Sequence, residues 1–168
     1  MANKGIFIAE NMVSTDVGAY LRSGIQNTAI ENGSIVKLNG LAEGKEEVYK
    51  TAVIATVATD QVYFVDGVEL EYDEQLTRGL HDFENPKDKP FRVRRPVVGD
   101  RFSISADMID SFSSGSSKYV QTNSGNKVKA VASAPTLANF SFVAKIIAEW
   151  NFGTKAIPMV RLEVIHVV

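Results

Sequence analysis

Residues 31–54 read ENGSIVKLNGLAEGKEEVYKTAVI. Two turn signals, Asn32-Gly33 and Asn39-Gly40, bracket an alternating run, and a second run containing Val, Tyr and Thr follows. Asn and Gly tolerate the positive φ that tight hairpin turns demand, so the segment predicts antiparallel strands joined by those turns. The same idiom returns at 61–72 (QVYFVDGVELEY), where Asp66-Gly67 is expected to join two strands, and at 99–105 (GDRFSIS). The expected fold class is therefore mainly β, one or two small antiparallel β-barrel or sandwich modules with an N-terminal arm and short helical turns.

Composition sets the outer bounds. The 168 residues suffice for one good core or two small modules, and a 45% hydrophobic content is ordinary for a folded domain. With 18 Lys and Arg against 20 Asp and Glu, the formal charge of -2 lacks the basic excess of a dedicated nucleic-acid binder. Zero cysteines exclude disulfides, thiolate metal sites and a Cys nucleophile, so stability must come from packing or assembly. The four-residue apolar run 6–9 is too short for a signal h-region or a membrane span, and neither secretion nor membrane association is expected.

Along the chain, residues 1–30 read as an arm with a short helix that Asp16 caps and Gly24 ends. Its Val17, Tyr20 and Leu21 share helical spacing and need a surface to cover, on this chain or on another. A first β module spans 31–75, with strands at 35–38, 48–55, 61–65 and 68–72, and a helical turn begins at Asp73. A connector at 76–96 holds three of the five prolines, and within it FRVRR, between Pro90 and Pro96, reads as an edge strand. A second β module spans 97–168: a helical turn at 106–109, a flexible Ser/Gly loop at 111–117, a hairpin at 118–132 turning through 123–126, and long strands toward 150 and from 159 to the end.

Chemistry-bearing patterns are sparse. Asp66, Glu69, Glu71, Asp73 and Glu74 cluster, but an extended strand spaces alternate carboxylates about 7 Å apart and cannot curl around a cation, so a solvated face is expected. His81 and Asp82, adjacent on an extended chain, would point to opposite sides and make no dyad; His166 alternates within the last strand as a half-buried spacer. The Ser/Gly loop has neither the strand-elbow-helix setting of a serine nucleophile nor a phosphate-loop pattern. Neither a catalytic residue, a cofactor nor a metal is expected. Arg92, Arg94 and Arg95 beside Phe91 make the one basic concentration, and charge on a strand edge first of all prevents edge-to-edge association. The glycosylation patterns at Asn32 and Asn139 read as a turn and a strand entry in a chain with no secretory signal.

The order of these phrases resembles that of small head-decoration (cement or auxiliary capsid) proteins of tailed bacteriophages. The resemblance lies in 31–41 (ENGSIVKLNGL), EVYK at 47–50, 72–85 from Tyr72 to the DFEN end, GDRFSIS, KYV at 118–120, AKII at 144–147 and VRLEVI at 160–165. It covers roughly four-fifths of the chain and is a likeness of turn and strand phrases. It implies a virion surface protein, made in the bacterial host cytoplasm, that binds the major capsid protein of the assembled shell as a homo-oligomer and reinforces it, with no catalytic residues to carry over. Shell contacts are then expected from Ile6, Phe7 and Ile8 of the arm, Tyr20 and Leu21 of its helix, and Arg92, Arg94 and Arg95. The loops at 111–117 and 123–126 would face outward. The alternatives are a head-fibre base, tail or baseplate component, a single-strand nucleic-acid-binding barrel using Phe91 and the arginines, and an enzyme acting on glycans through Glu69, Glu71 or Asp73.

Overall fold

The computed structural model describes residues 3–68 and 79–168 and is mainly β. In chain order, β1 (Phe7–Asn11), a single helical turn α1 (Val13–Asp16) and a 3-10 turn at Gly18–Tyr20 lead into β2 (Leu21–Ile25). β3 (Ile35–Leu41), β4 (Val48–Ala52), β5 (Tyr63–Val65) and β6 (Phe91–Arg94) follow, then β7 (Arg101–Ser105), β8 (Ile109–Asp110), β9 (Tyr119–Gln121), β10 (Val128–Val131), β11 (Phe142–Phe152) and β12 (Ile157–Val167). Strands β2-β4-β3-β5-β6 close a barrel, with β2 and β4 parallel. The others form a curled sheet ordered β1-β7-β12-β11-β9-β10-β8.

β5 shows why the two layers belong together. Its three residues Tyr63, Phe64 and Val65 are all buried. Side chains alternate across a strand, and here Tyr63 and Val65 point into the barrel with Ile30, Val36, Phe91 and Val93, while Phe64 points the other way into the main core. There it meets Phe7, Phe102 and Phe142 of the sheet at ring-centroid distances of 5.8, 4.8 and 5.2 Å. β3 repeats the device, with Val36 inside the barrel and Ile35 in the main core. One core thus serves both layers.

The arm is integral to this arrangement. β1 pairs antiparallel with β7, Phe7 opposite Ile104, at the edge of the sheet. Phe7 enters the main core from one face of β1, and Ile6 joins Ile157 and Met159 on the other, with Ile8, Leu80, Trp150 and Phe152 packed around them. β2 is a barrel strand between β4 and β6. Gly24 accordingly ends no helix: it lies within β2, where a Cβ would come 2.7 Å from Thr51 Cγ2.

Other expectations change for equally local reasons. Asn39-Gly40 is not a turn but a bulge inside β3, where the register slips between Leu38 opposite Thr51 and Leu41 opposite Tyr49. Gly40, at φ +75°, takes the conformation that such a bulge asks of glycine. The chain reverses later, in a loop that begins at Ala42 and is closed by its amide on Val48 O. Asp66-Gly67 closes no hairpin with β5, because both edges of β5 are occupied, by β3 and β6. Residues 69–72 of the strand expected there, and the helical turn from Asp73, lie outside the described residues. FRVRR is no edge: β6 sits between β2 and β5 within the closed barrel. The hairpin β9-β10 forms as expected, but its turn docks onto the barrel, Gly125 and Ile54 exchanging backbone hydrogen bonds of 2.9 and 3.2 Å and Ile35 N donating to Asn126 O at 2.8 Å.

Phe64 is fully buried and touches both layers, so Phe64→Ala should cost about 3–5 kcal/mol. Barrel and sheet should still unfold together. Urea unfolding followed by Trp150 fluorescence, which reports the sheet, and by far-UV circular dichroism should give coincident transitions with a lowered midpoint.

Candidate functional site

The expected site residues meet where β1, the end of β5 and β6 come together. Asp66, leaving β5, is 8% exposed, and Arg94 on β6 is 7% exposed. Arg94 Nε donates to Asp66 Oδ2 in a very short contact, and its guanidinium also donates to Ser14 Oγ of α1 at 3.1 Å. Arg92, two residues earlier on the same strand face, donates from Nε to Asp66 O at 3.0 Å and places another guanidinium nitrogen 2.8 Å from Asp66 Oδ2. Asp66 N completes the ring by donating to Arg92 O at 2.9 Å. One carboxylate therefore holds two arginines and, through Arg94, the helical turn of the arm. An open cavity of about 290 Å³ adjoins the cluster, lined also by Phe7, Ile8, Val68 and Leu80.

Arg95 points elsewhere. With the Gln61 amide oriented to satisfy its neighbours, its oxygen accepts from Arg95 Nε and Nη2 at 3.1 and 2.8 Å and its nitrogen donates to Tyr63 Oη at 2.7 Å. Burial pushes the Tyr63 phenol up from its ordinary pKa. The three arginines expected to form one basic patch are thus divided, each with an acceptor from its own chain.

The remaining expected residues distribute as follows. Ile6 and Phe7 are buried in the chain's own cores and present no surface, whereas Ile8, Tyr20 and Leu21 are half-buried. Glu69, Glu71, Asp73 and Glu74 lie outside the described residues. His81 and Asp82 do approach, Nε2 to Oδ2 at 2.9 Å, contrary to the geometry of an extended chain. The reason is a turn, in which Asp82 N donates to Gly79 O. The same imidazole nitrogen meets Lys155 Nζ from the β11-β12 tip rather than a hydroxyl nucleophile. Among the described residues no group of three or more His, Cys, Asp or Glu is placed to hold a metal, and no helix is long and apolar enough to cross a membrane.

The Ser/Gly loop at 111–117 does hold an anion, but the anion is Glu149 of β11. Gly115 N donates to Glu149 Oε1 at 2.9 Å, Ser114 Oγ donates to its other oxygen, and Ser117 closes the loop on Ser113. The Gly115 amide, then the Ser114 hydroxyl, hold the Glu149 carboxyl below the usual carboxylate range. Asp60 is a second such clasp: the Thr56 amide foremost, with Lys37 and the Ala55 amide, lowers its carboxyl.

One further arrangement was not visible from sequence spacing. Asp100, buried in the turn before β7, accepts from Val13 N through Oδ1 and from Val97 N through Oδ2, both at 2.9 Å. This ties the start of α1 to the turn at 97–100. Val13, Val17 and Val98 there are 38%, 42% and 57% exposed, beside Tyr20, whose carbonyl accepts from Arg95 N. The only sequence hint is the pairing of an exposed-type loop with several valines.

Two outcomes follow from this geometry. Asp66→Ala should cost about 3–5 kcal/mol in urea unfolding, since it strands the Arg94 charge in a buried site, and replacing Asp66 and Arg94 together by apolar residues should recover much of that loss. The depressed carboxyls of Asp60 and Glu149 contribute stability that is fully present above the ordinary carboxylate pKa and is lost as pH falls through their lowered folded values. Thermal unfolding measured from neutral to acid pH should therefore show a declining acid limb, shallower in Asp60→Asn and Glu149→Gln.

Comparison with protein-family models, with curated proteins and with solved structures found no match to this chain.

Proposed function

We propose that this chain is a structural virion protein that binds and stabilises an assembled phage capsid, attached to the major capsid protein on the particle surface as a homo-oligomer. The observation that carries the reading is the exposure of Val13, Val17 and Val98 on α1, its flank and the turn that Asp100 ties to it. Val13 and Val17 belong to the arm that the resemblance to decoration proteins assigns to shell contact, and Asp100 ties the turn carrying Val98 to it. Exposed apolar side chains on neighbouring elements are suited to burial against another protein, and many copies on a shell add avidity. A binder that prefers the assembled shell stabilises it by mass action.

In this reading the contact set shifts within the arm. Ile6 and Phe7 serve the chain's own cores, and Ile8 borders the cavity, so the shell is met through Tyr20, Leu21 and the neighbouring valines. Arg92 contributes from the cavity rim. The pairing of all three arginines within the chain lends no support to a nucleic-acid-binding barrel.

Quantitation of this chain against the major capsid protein in purified particles should give a copy number that is a simple fraction of the shell subunits. Purified protein should rebind stripped shells, and Val17→Asp with Val98→Asp should abolish rebinding while circular dichroism stays unchanged. Rebinding by the folded double variant would remove these valines as the contact, and absence of the chain from particles would overturn the reading altogether.

A further inference from the structure

The chain contains Asn-Gly twice, and the fold treats the two copies in opposite ways. Asn-Gly is the dipeptide most open to attack of the following backbone nitrogen on the asparagine side-chain carbonyl, because glycine puts no side chain in the way. At Asn32-Gly33 every participant is held. Asn32 is 2% exposed, its Nδ2 donates to Gly67 O at 3.0 Å, and its Oδ1 accepts from Gly67 N at 2.8 Å and Asn85 Nδ2 at 2.9 Å. The Gly33 nitrogen, which would be the nucleophile, donates to Val65 O at 2.9 Å. Reaction there would require breaking buried hydrogen bonds that join the barrel to the segment at 85.

At Asn39-Gly40 the asparagine side chain has no hydrogen bond among the described residues, and no side chain or distant segment holds the pair as Gly67 and Asn85 hold Asn32. Both residues are exposed. They form the bulge of β3, where the register skips from Leu38 to Leu41, and nothing lies within 4 Å of the position a Gly40 Cβ would take. The extra residue of a bulge is left out of the ladder, so the local backbone can turn without unzipping a strand pair.

We propose that Asn39 is a site of spontaneous covalent modification in the folded protein, and that Asn32 is protected by the fold. The Gly40 amide nitrogen, giving up its proton to solvent base, forms a bond to Asn39 Cγ, and the side-chain nitrogen leaves as ammonia. The resulting succinimide then takes up water at either carbonyl and opens to aspartate or isoaspartate. No oxidant or reductant is involved. The product adds a negative charge beside Glu43, Glu46 and Glu47 of the adjoining loop, and isoaspartate also inserts a methylene into the β3 backbone at the bulge.

The full chain, kept in mildly alkaline buffer, would be sampled over time by peptide mass mapping and by isoaspartate-specific enzymatic methyl labelling, in native buffer and in concentrated urea. In native buffer, conversion at Asn39 should outpace that at Asn32 by an order of magnitude or more; in urea the two rates should converge. Asn39→Gln should remove most of the native labelling. Equal native rates at the two sites, or an Asn39 that stays intact folded but converts in urea, would overturn the proposal.

Discussion

The burial of Phe64 is the constraint on which the rest of the molecule rests. A short strand with apolar residues on both faces has to be covered twice, once by the barrel it helps to close and once by something outside. The outside cover is the curled sheet, and the rings of Phe7, Phe102 and Phe142 meet Phe64 from three different strands. β1 must therefore lie on β7 to deliver Phe7, and β11 must run where Phe142 reaches the seam. The docking of the β9-β10 turn against Ile54 and Ile35 seals the polar margin of the same seam with backbone hydrogen bonds.

The β character of this fold was legible because alternation and Gly-containing turns are local signals. β11 and β12 form as the long strands expected, but a bulge between Ile146 and Ala148 sends Phe142 and Ala144 into the main core and Trp150 into the cluster of Ile6, Ile157 and Met159 on the other face. Partner choice was less legible, because it is set by contacts far apart in sequence. Asn32-Gly33 and Asn39-Gly40 are the same dipeptide, yet one is a buried turn and the other a bulge, and the difference comes from Asn85 and Gly67 in one case and from the β4 register in the other. FRVRR looked like an edge because it alternates between Pro90 and Pro96 and carries charge; Asp66, twenty-eight residues before Arg94, is what lets that arginine go inside.

The candidate site was legible only in part. Helical spacing within residues 1–30 could not tell that Ile6 and Phe7 would be taken by two cores, that β2 would become a barrel strand, and that Val13 and Val17 would remain exposed. Asp100 explains the outcome. By accepting from the backbones at 13 and 97 it fixes the direction in which α1 leaves the sheet, and so decides which face of that turn is wet. The Arg92–Asp66–Arg94 cluster has a similar role on the other side of α1 through Ser14.

The nesting of strands bears on how the chain comes to be folded during synthesis. All barrel strands lie between residues 21 and 94, so the barrel strands leave the ribosome before β7 has emerged. A barrel formed at that stage would carry Ile35 and Phe64 on its outer face, with Phe7 tethered nearby and no sheet to cover them. The sheet cannot gain its central strands until residues 142–167 have emerged, since β12 lies between β7 and β11. For much of its synthesis the chain thus presents an apolar barrel wall to its surroundings, and a chaperone or a crowded neighbour meets that wall first.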